Sequence, residues 1–222
     1  MHFPRLFLFD MDGLLFDTER LFMEILGQTM AEYGYQLTRE RYMATVGLSQ
    51  ADVIGVMKGF YGADYPYREI SAIAHDRLSA QARTTPLPVK RGLRELLQYL
   101  ADSGHPCCLA SSSPRESIQV YLDTSGLEKY FSFIMSGSDL PHSKPDPEIF
   151  LACCRHYGVQ PAEALVLEDS ENGVRAAVNG GIPVVCIPDM KRPPEELLAQ
   201  ACLTAPDGFA VLDYLKGLPA GD

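Results

Sequence analysis

The chain has 222 residues, room for one full domain with a sizeable insertion or for two small ones. Nineteen Lys and Arg against 29 Asp and Glu give a net charge of −10, which repels a nucleic-acid backbone or an anionic membrane surface as a first partner. Apolar residues make up 46 % and charged residues 22 %, and no run approaches the ~18 uninterrupted apolar residues of a transmembrane helix.

The first apolar patch, Phe3 to Phe16, is broken by Arg5, Asp10 and Asp12 and has no small-residue cleavage site after it, so it does not read as a secretion signal. Within it, Arg5 to Phe9 is a short apolar run that reads as a buried strand ending at Asp10. From Asp17 to about Arg83 the pattern becomes helical, with Leu21, Ile25, Met30 and Tyr33 on the first segment and Gly34, Gly47 and Gly62 as stops. Thr84-Thr85-Pro86-Leu87-Pro88 reads as a stiff linker.

Beyond the linker, helices near 91–102, 115–124, 147–157 and 173–179 alternate with strands Cys107–Ala110, Phe131–Met135, Ala164–Leu167 and Pro183–Ile187. Alternation of that kind implies parallel β-α-β units. The expected fold is an α/β doubly wound, Rossmann-like parallel sheet, with residues 1–16 and 87–222 as the core and 17–86 as an inserted all-helical cap. The six cysteines, at 107, 108, 153, 154, 186 and 202, match neither a disulfide framework nor a C-x-x-C metal spacing. They fit small apolar residues in a reduced, cytoplasmic protein.

In such a sheet, ligands bind beyond the carboxyl ends of the strands, so the residues that follow each apolar run carry the functional information. The first strand ends in Asp10-Met11-Asp12-Gly13, the second in Ser111-Ser112-Ser113, and the fourth in Glu168-Asp169-Ser170, preceded in the chain by Ser143-Lys144-Pro145-Asp146-Pro147. Local alternatives exist for several of these. Asp17 and Ser170 or Glu171 suit helix caps, the serines before Pro114 suit a capping loop, and Lys144 suits a solvated loop.

Taken together, four carboxylates, a hydroxyl cluster and one lysine meet at one sheet edge. Like charges repel by about 4 kcal/mol per pair at 4 Å and an effective dielectric of about 20, so Asp10, Asp12, Glu168 and Asp169 call for a cation. Oxygen donors select Mg²⁺ over zinc or copper. With Mg²⁺ and Lys144 the pocket accepts a phosphate, and Ser111, Ser112 and the backbone N–H groups of a helix start hold its oxygens. Asp10 is placed to attack phosphorus, and Asp12, on the same side of an extended backbone, to protonate the leaving oxygen and then activate water. G-x-S-x-G, Walker A, G-x-G-x-x-G and H-E-x-x-H are all absent, and the histidines at 2, 75, 105, 142 and 156 are scattered, each read as surface or core.

The set Asp10-Met11-Asp12-Gly13, Ser111, Lys144 with Pro145-Asp146-Pro147, and Glu168-Asp169-Ser170 resembles the four motifs of the haloacid dehalogenase-like hydrolase superfamily. A helical insert directly after the first motif is similar to the branch that holds β-phosphoglucomutase and small sugar-phosphate phosphatases. The resemblance spans about Leu6 to Ile187. It implies Asp10 as nucleophile, Asp12 as acid and base, Ser111 and Lys144 as phosphate holders, and Asp169 with Glu168 as metal ligands beside Asp10 and the Asp12 carbonyl. Asp12 disfavours the dehalogenases themselves, and the insert is implied to be a mobile cap that chooses the substrate.

Two positions depart from the mutase. Its cap histidine falls here on Phe22, and its cap arginine, after a Gly-x-Ser turn, falls on Gln50 behind Gly47-Leu48-Ser49; Arg20, Lys58 or Arg77 could serve instead. The expected function is a Mg²⁺-dependent phosphatase of small phosphorylated metabolites, such as sugar or polyol phosphates, acting as a monomer without nucleic-acid or membrane partners. The alternatives are a hexose-phosphate mutase and a non-catalytic binding protein on the same fold.

Overall fold

The computed structural model describes residues 2–48 and 50–219. Strand β1 (Leu6–Phe9) is wholly buried, and its alternation sends Phe7 and Phe9 to one face of the sheet and Leu6 and Leu8 to the other. A strand covered on both faces has no polar positions to alternate, which is why it reads as an unbroken apolar run. Among the described residues four helices follow before the chain returns to the sheet: α1 (Thr18–Glu32), α2 (Arg39–Met43), α3 (Gln50–Tyr61) and α4 (Tyr67–Thr84).

The remaining elements alternate as α5 (Leu93–Asp102), β2 (Cys107–Ser111), α6 (Arg115–Ser125), β3 (Phe133–Ser136), α7 (Glu148–Tyr157), β4 (Ala164–Glu168), α8 (Glu171–Asn179), β5 (Val184–Cys186), α9 (Glu195–Leu198), β6 (Leu203–Thr204) and α10 (Gly208–Lys216). Among the described residues the strands form one sheet in the order β3-β2-β1-β4-β5-β6, with every pairing parallel. One face carries Phe7, Phe9, Leu109, Leu165 and Val185 against α5, α6 and α10. The other carries Leu8, Cys108, Val166 and Val184 against α7, α8 and α9. The expected doubly wound architecture is therefore present, and β1 sits at its centre between β2 and β4, where the strand order reverses.

Three elements escape sequence reading. Strand β6 is two residues long and exists because β5 offers it a register, Val185 to Leu203 and Cys186 to Thr204. Helix α9 has one turn, and α10 shows itself only through its cap, where Asp207 Oδ1 accepts the Ala210 N–H at 3.1 Å. Strand β3 begins at Phe133 rather than Phe131, because a 3₁₀ turn over Glu128–Tyr130 precedes it.

The two crossings between the sheet and helices α1 to α4 lie side by side. Phe16 and Val89 form an antiparallel bridge, the Asp17 N–H donates to the Pro88 carbonyl at 3.0 Å, and the Lys90 N–H donates to the Leu15 carbonyl at 2.8 Å. Asp17 holds the N-cap position of α1 without capping it; its Oδ1 takes the Arg20 guanidinium at 2.6 Å instead. Arg20 also donates to Asp189 Oδ1 at 2.7 Å, the same atom that Lys90 grips. One carboxylate beyond β5 thus ties together both crossings. Helix α1 packs on α4 and α4 on α6, while Arg77 forks onto Glu32 at 2.7 and 2.8 Å.

All six cysteines are free, and all but Cys202 are buried. Among the described residues no helix is long and apolar enough to cross a membrane.

Candidate active site

Asp10, Asp12, Ser111, Ser112, Lys144, Glu168 and Asp169 all line one cavity of about 580 Å³ beyond the carboxyl ends of β1, β2 and β4. All but Lys144 arrive there because a buried strand ends at or just before them at the sheet edge. Lys144 comes from the loop between β3 and α7. It is not a solvated loop residue: its side chain is 6 % exposed, and its Nζ donates to Asp10 Oδ1, to Glu168 Oε1 at 2.7 Å and to the Ala110 carbonyl at 3.0 Å.

Glu168 is fully buried, and its second oxygen is also taken. Oε2 accepts the Asp169 N–H at 2.9 Å, the Ser170 N–H at 3.0 Å and the Ser170 hydroxyl at 3.0 Å. Ser170 in turn caps α8 by accepting the Gly173 N–H at 3.0 Å, so the cap expected at that position is present. A buried carboxylate with both oxygens committed holds Lys144 in place, since a buried ion pair missing one partner leaves an uncompensated charge costing about 3–5 kcal/mol.

Two glycines make room for this arrangement. Gly13 has φ +83°, which favours glycine, and a Cβ on it would lie 2.3 Å from Asp169 Oδ2. A Cβ on Gly173 would lie 1.8 Å from both Cδ and Oε1 of Glu168. Gly173→Ala is therefore expected to push Glu168 off Lys144, with a cost of about 1–3 kcal/mol from overpacking and a fall of about 10²-fold in turnover from the displaced lysine. Thermal melting and steady-state kinetics of the variant check both figures.

One oxygen each of Asp10, Glu168 and Asp169 lie within 4.8 Å of one another, all buried. Burial pushes the Asp10 carboxyl up to about 7, against the pull of Lys144, and burial with the charges of Glu168 and Asp10 pushes Asp169 well above the usual carboxylate range. Burial also opposes the Lys144 ammonium, but Asp10 and Glu168 outweigh it and raise its pKa. One ammonium cannot satisfy three carboxylates, and a compact all-oxygen donor set fits a hard divalent cation.

Asp12 points elsewhere. Its Oδ2 accepts the Ser113 hydroxyl at 2.6 Å, and burial raises its pKa, against the lowering effect of that bond. Ser111 is buried, with its Oγ accepting the Ser113 N–H at 3.1 Å, while Ser112 is exposed. Asp146 serves locally, accepting the Glu148 N–H at 2.9 Å at the start of α7.

A second cavity of about 650 Å³ shares Asp12 and Glu19 with the first and extends between α1, α2, α4 and α6. Phe22 lines it, stacked on His75 with ring centroids 4.3 Å apart and planes 23° from parallel. His75 is exposed, as a surface histidine would be, yet it belongs to this wall. Arg20, Lys58 and Arg77 line neither of these two cavities. Ser49 and the Gln50 side chain lie outside the described residues.

Sequence reading missed Glu19, Tyr42, His75 and Asp189. Only Asp189 had a usable signal, since it too follows an apolar strand run. The others are brought to the site by helices whose relative placement no local pattern encodes.

Comparison with known proteins extends the picture. The family model for haloacid dehalogenase-like hydrolases matches residues 7–187. Hexitol phosphatase B of Escherichia coli is 30 % identical over 213 residues, covering 94 % of this chain and 95 % of its own. The phosphorylated carbohydrates phosphatase of Thermotoga maritima is 29 % identical over 175 residues, 79 % of this chain and 81 % of its own. A solved β-phosphoglucomutase from Clostridium difficile aligns with TM-score 0.74 over 96 % of both chains at 19 % identity, a likeness of fold alone.

Proposed function

The chain belongs to the haloacid dehalogenase-like hydrolases, and within that family we propose that it is a Mg²⁺-dependent phosphatase that releases phosphate from small phosphorylated carbohydrates through an aspartyl phosphate on Asp10. The observation that carries this reading is the position of Asp12, on the wall common to both cavities, with Asp10 on one side and the aromatic pocket on the other. A phosphate ester seated with phosphorus at Asp10 has its bridging oxygen at Asp12 and its alcohol portion in the second cavity.

Asp10 attacks phosphorus as the bond to the bridging oxygen breaks, and Asp12 donates its proton to that oxygen, freeing the alcohol. Asp12, now ionised, takes a proton from water as the water attacks the aspartyl phosphate, which returns Asp10 and liberates phosphate. A raised Asp12 pKa favours the first of these steps, because the acid must arrive protonated. Ser111 and Lys144 hold the phosphate oxygens, and Glu168 keeps Lys144 aimed at Asp10. Asp10 and Asp169 would hold Mg²⁺ with the Asp12 carbonyl, Glu168 standing in the same acid group. When bound, Mg²⁺ supplies the positive charge that keeps Asp10 ionised and offsets the charge of the phosphate.

Residues 17–86 serve as the cap that encloses the alcohol. A mutase must hold a distal phosphate with a cationic side chain in that cap. No Lys or Arg lines the second cavity among the described residues, which favours hydrolysis. Purified protein with Mg²⁺ is expected to release phosphate from p-nitrophenyl phosphate and from sugar or polyol monophosphates. It should interconvert glucose 1-phosphate and glucose 6-phosphate slowly or not at all, even when primed with a bisphosphate. Asp12→Asn is expected to lower turnover by about 10²- to 10⁴-fold through loss of the acid and base. Interconversion faster than phosphate release overturns the phosphatase reading.

A further inference from the structure

Glu19 stands on the first turn of α1, on the wall common to both cavities. Its Oε2 accepts the Tyr42 hydroxyl at 2.8 Å, which fixes the carboxylate, and its Oε1 has no partner among the described residues. Tyr42 is itself 5 % exposed, so the pair forms a rigid acceptor rather than a swinging side chain. Around it, no Lys or Arg lines the larger cavity among the described residues; its titratable groups include the carboxyls of Asp12 and Glu19 and the imidazole of His75, whose pKa burial lowers.

The nearby cations have other partners. Arg20 is held by Asp17 and Asp189, Arg77 by Glu32, and Lys191 donates to the Val46 carbonyl at 3.0 Å from the wall of the other cavity. The stacked Phe22 and His75 rings add a flat apolar surface on which the C–H face of a polyol or sugar packs.

Building on the phosphatase reading, we propose that Glu19 is the specificity-determining residue for the alcohol portion: it accepts hydrogen bonds from the hydroxyl groups of an uncharged polyol or sugar and excludes leaving groups that carry a carboxylate or a second phosphate. The reason is electrostatic. A carboxylate with an oxygen left over gains from a hydroxyl donor in a partly desolvated cavity, and repels an anion seated on the side of the larger cavity, whose wall carries no Lys or Arg among the described residues.

The test compares kcat/KM for sorbitol 6-phosphate, 2-phosphoglycolate and fructose 1,6-bisphosphate, with p-nitrophenyl phosphate as a probe that offers no hydroxyl. The wild type is expected to favour sorbitol 6-phosphate over 2-phosphoglycolate by about 10²-fold or more, and Glu19→Gln to shrink that ratio by about 10- to 100-fold, mainly through KM for the polyol. Phe22→Arg, which adds a cation to the same wall, should raise kcat/KM for 2-phosphoglycolate above that of the wild type, a gain that misfolding does not produce. The proposal is overturned if the wild type prefers 2-phosphoglycolate or the bisphosphate, or if Glu19→Gln leaves the ratio unchanged. It is also overturned if Lys191→Ala rather than Glu19→Gln alters the ratio, because a distal anion is then read from the core side. Phosphate release from p-nitrophenyl phosphate in any of those outcomes leaves the phosphatase reading standing, whereas absence of release from every ester removes that reading itself.

Discussion

Asp10→Asn is expected to stop phosphate release, with a fall on the order of 10⁴-fold or more, because the neutral amide is no nucleophile and no other side chain occupies its position. Asp10 is held at the end of the central strand by Lys144, which also grips Glu168, so the substitution leaves the surrounding frame supported by the Lys144–Glu168 contact. Substrate affinity should therefore survive the loss of turnover, and binding isotherms of sorbitol 6-phosphate to the variant are the measurement to set beside the kinetics. Acid quenching of the wild type during turnover should yield phosphate bound to the protein, and the variant none. Near-normal turnover by Asp10→Asn would show that water attacks phosphorus directly and that the covalent step is absent.

Removal of divalent metal is expected to abolish activity and addition of Mg²⁺ to restore it. Asp10, Glu168 and Asp169 crowd to within 4.8 Å, with Lys144 as the one ammonium among them in the described residues, so a phosphate dianion entering the bare site meets net negative charge. The same crowding makes a prediction about stability that does not depend on turnover. Burial pushes the Asp10 carboxyl of the metal-free protein up to about 7 from an ordinary 3.8, so the folded state binds more protons than the unfolded chain between those values. Stability of the metal-free form should accordingly be greatest below about pH 4 as far as this group is concerned, and fall as pH rises toward 7. Saturating Mg²⁺ should remove that fall. At a concentration about 100 times the dissociation constant it adds about 2.7 kcal/mol, or roughly 5–10 °C in melting temperature for a chain of this length. Full activity in chelator, or melting curves that ignore Mg²⁺ at pH 7, would rule out the metal assignment.

The division between what was legible in the chain and what was not follows the range of the interactions. β1, β2 and β4 were readable within a residue or two because a buried parallel strand has to be apolar at every position, and each ends where a polar residue reaches the sheet edge. Asp10, Asp12, Ser111, Lys144, Glu168 and Asp169 were picked out by that rule together with motif spacing, and all of them line one cavity. Strand β6 and helix α10 were not found, because a two-residue strand exists only by virtue of its neighbour and α10 is anchored by packing on α5.

Within the site, the sequence determined which residue types stand at the strand ends, since turn, strand and cap preferences act over a few residues. It did not determine that both Glu168 oxygens are committed to Lys144, Ser170 and the following backbone, that Glu19 holds the Tyr42 hydroxyl, or that Phe22 meets His75 face to face. Those outcomes join Glu19 to a residue 23 positions away, Lys144 to one 134 positions away and Arg20 to one 169 positions away. Such pairs are selected by the packing of whole helices against a sheet, where close-packed volume and the cost of an unpaired buried charge choose one arrangement, and no local propensity carries that information.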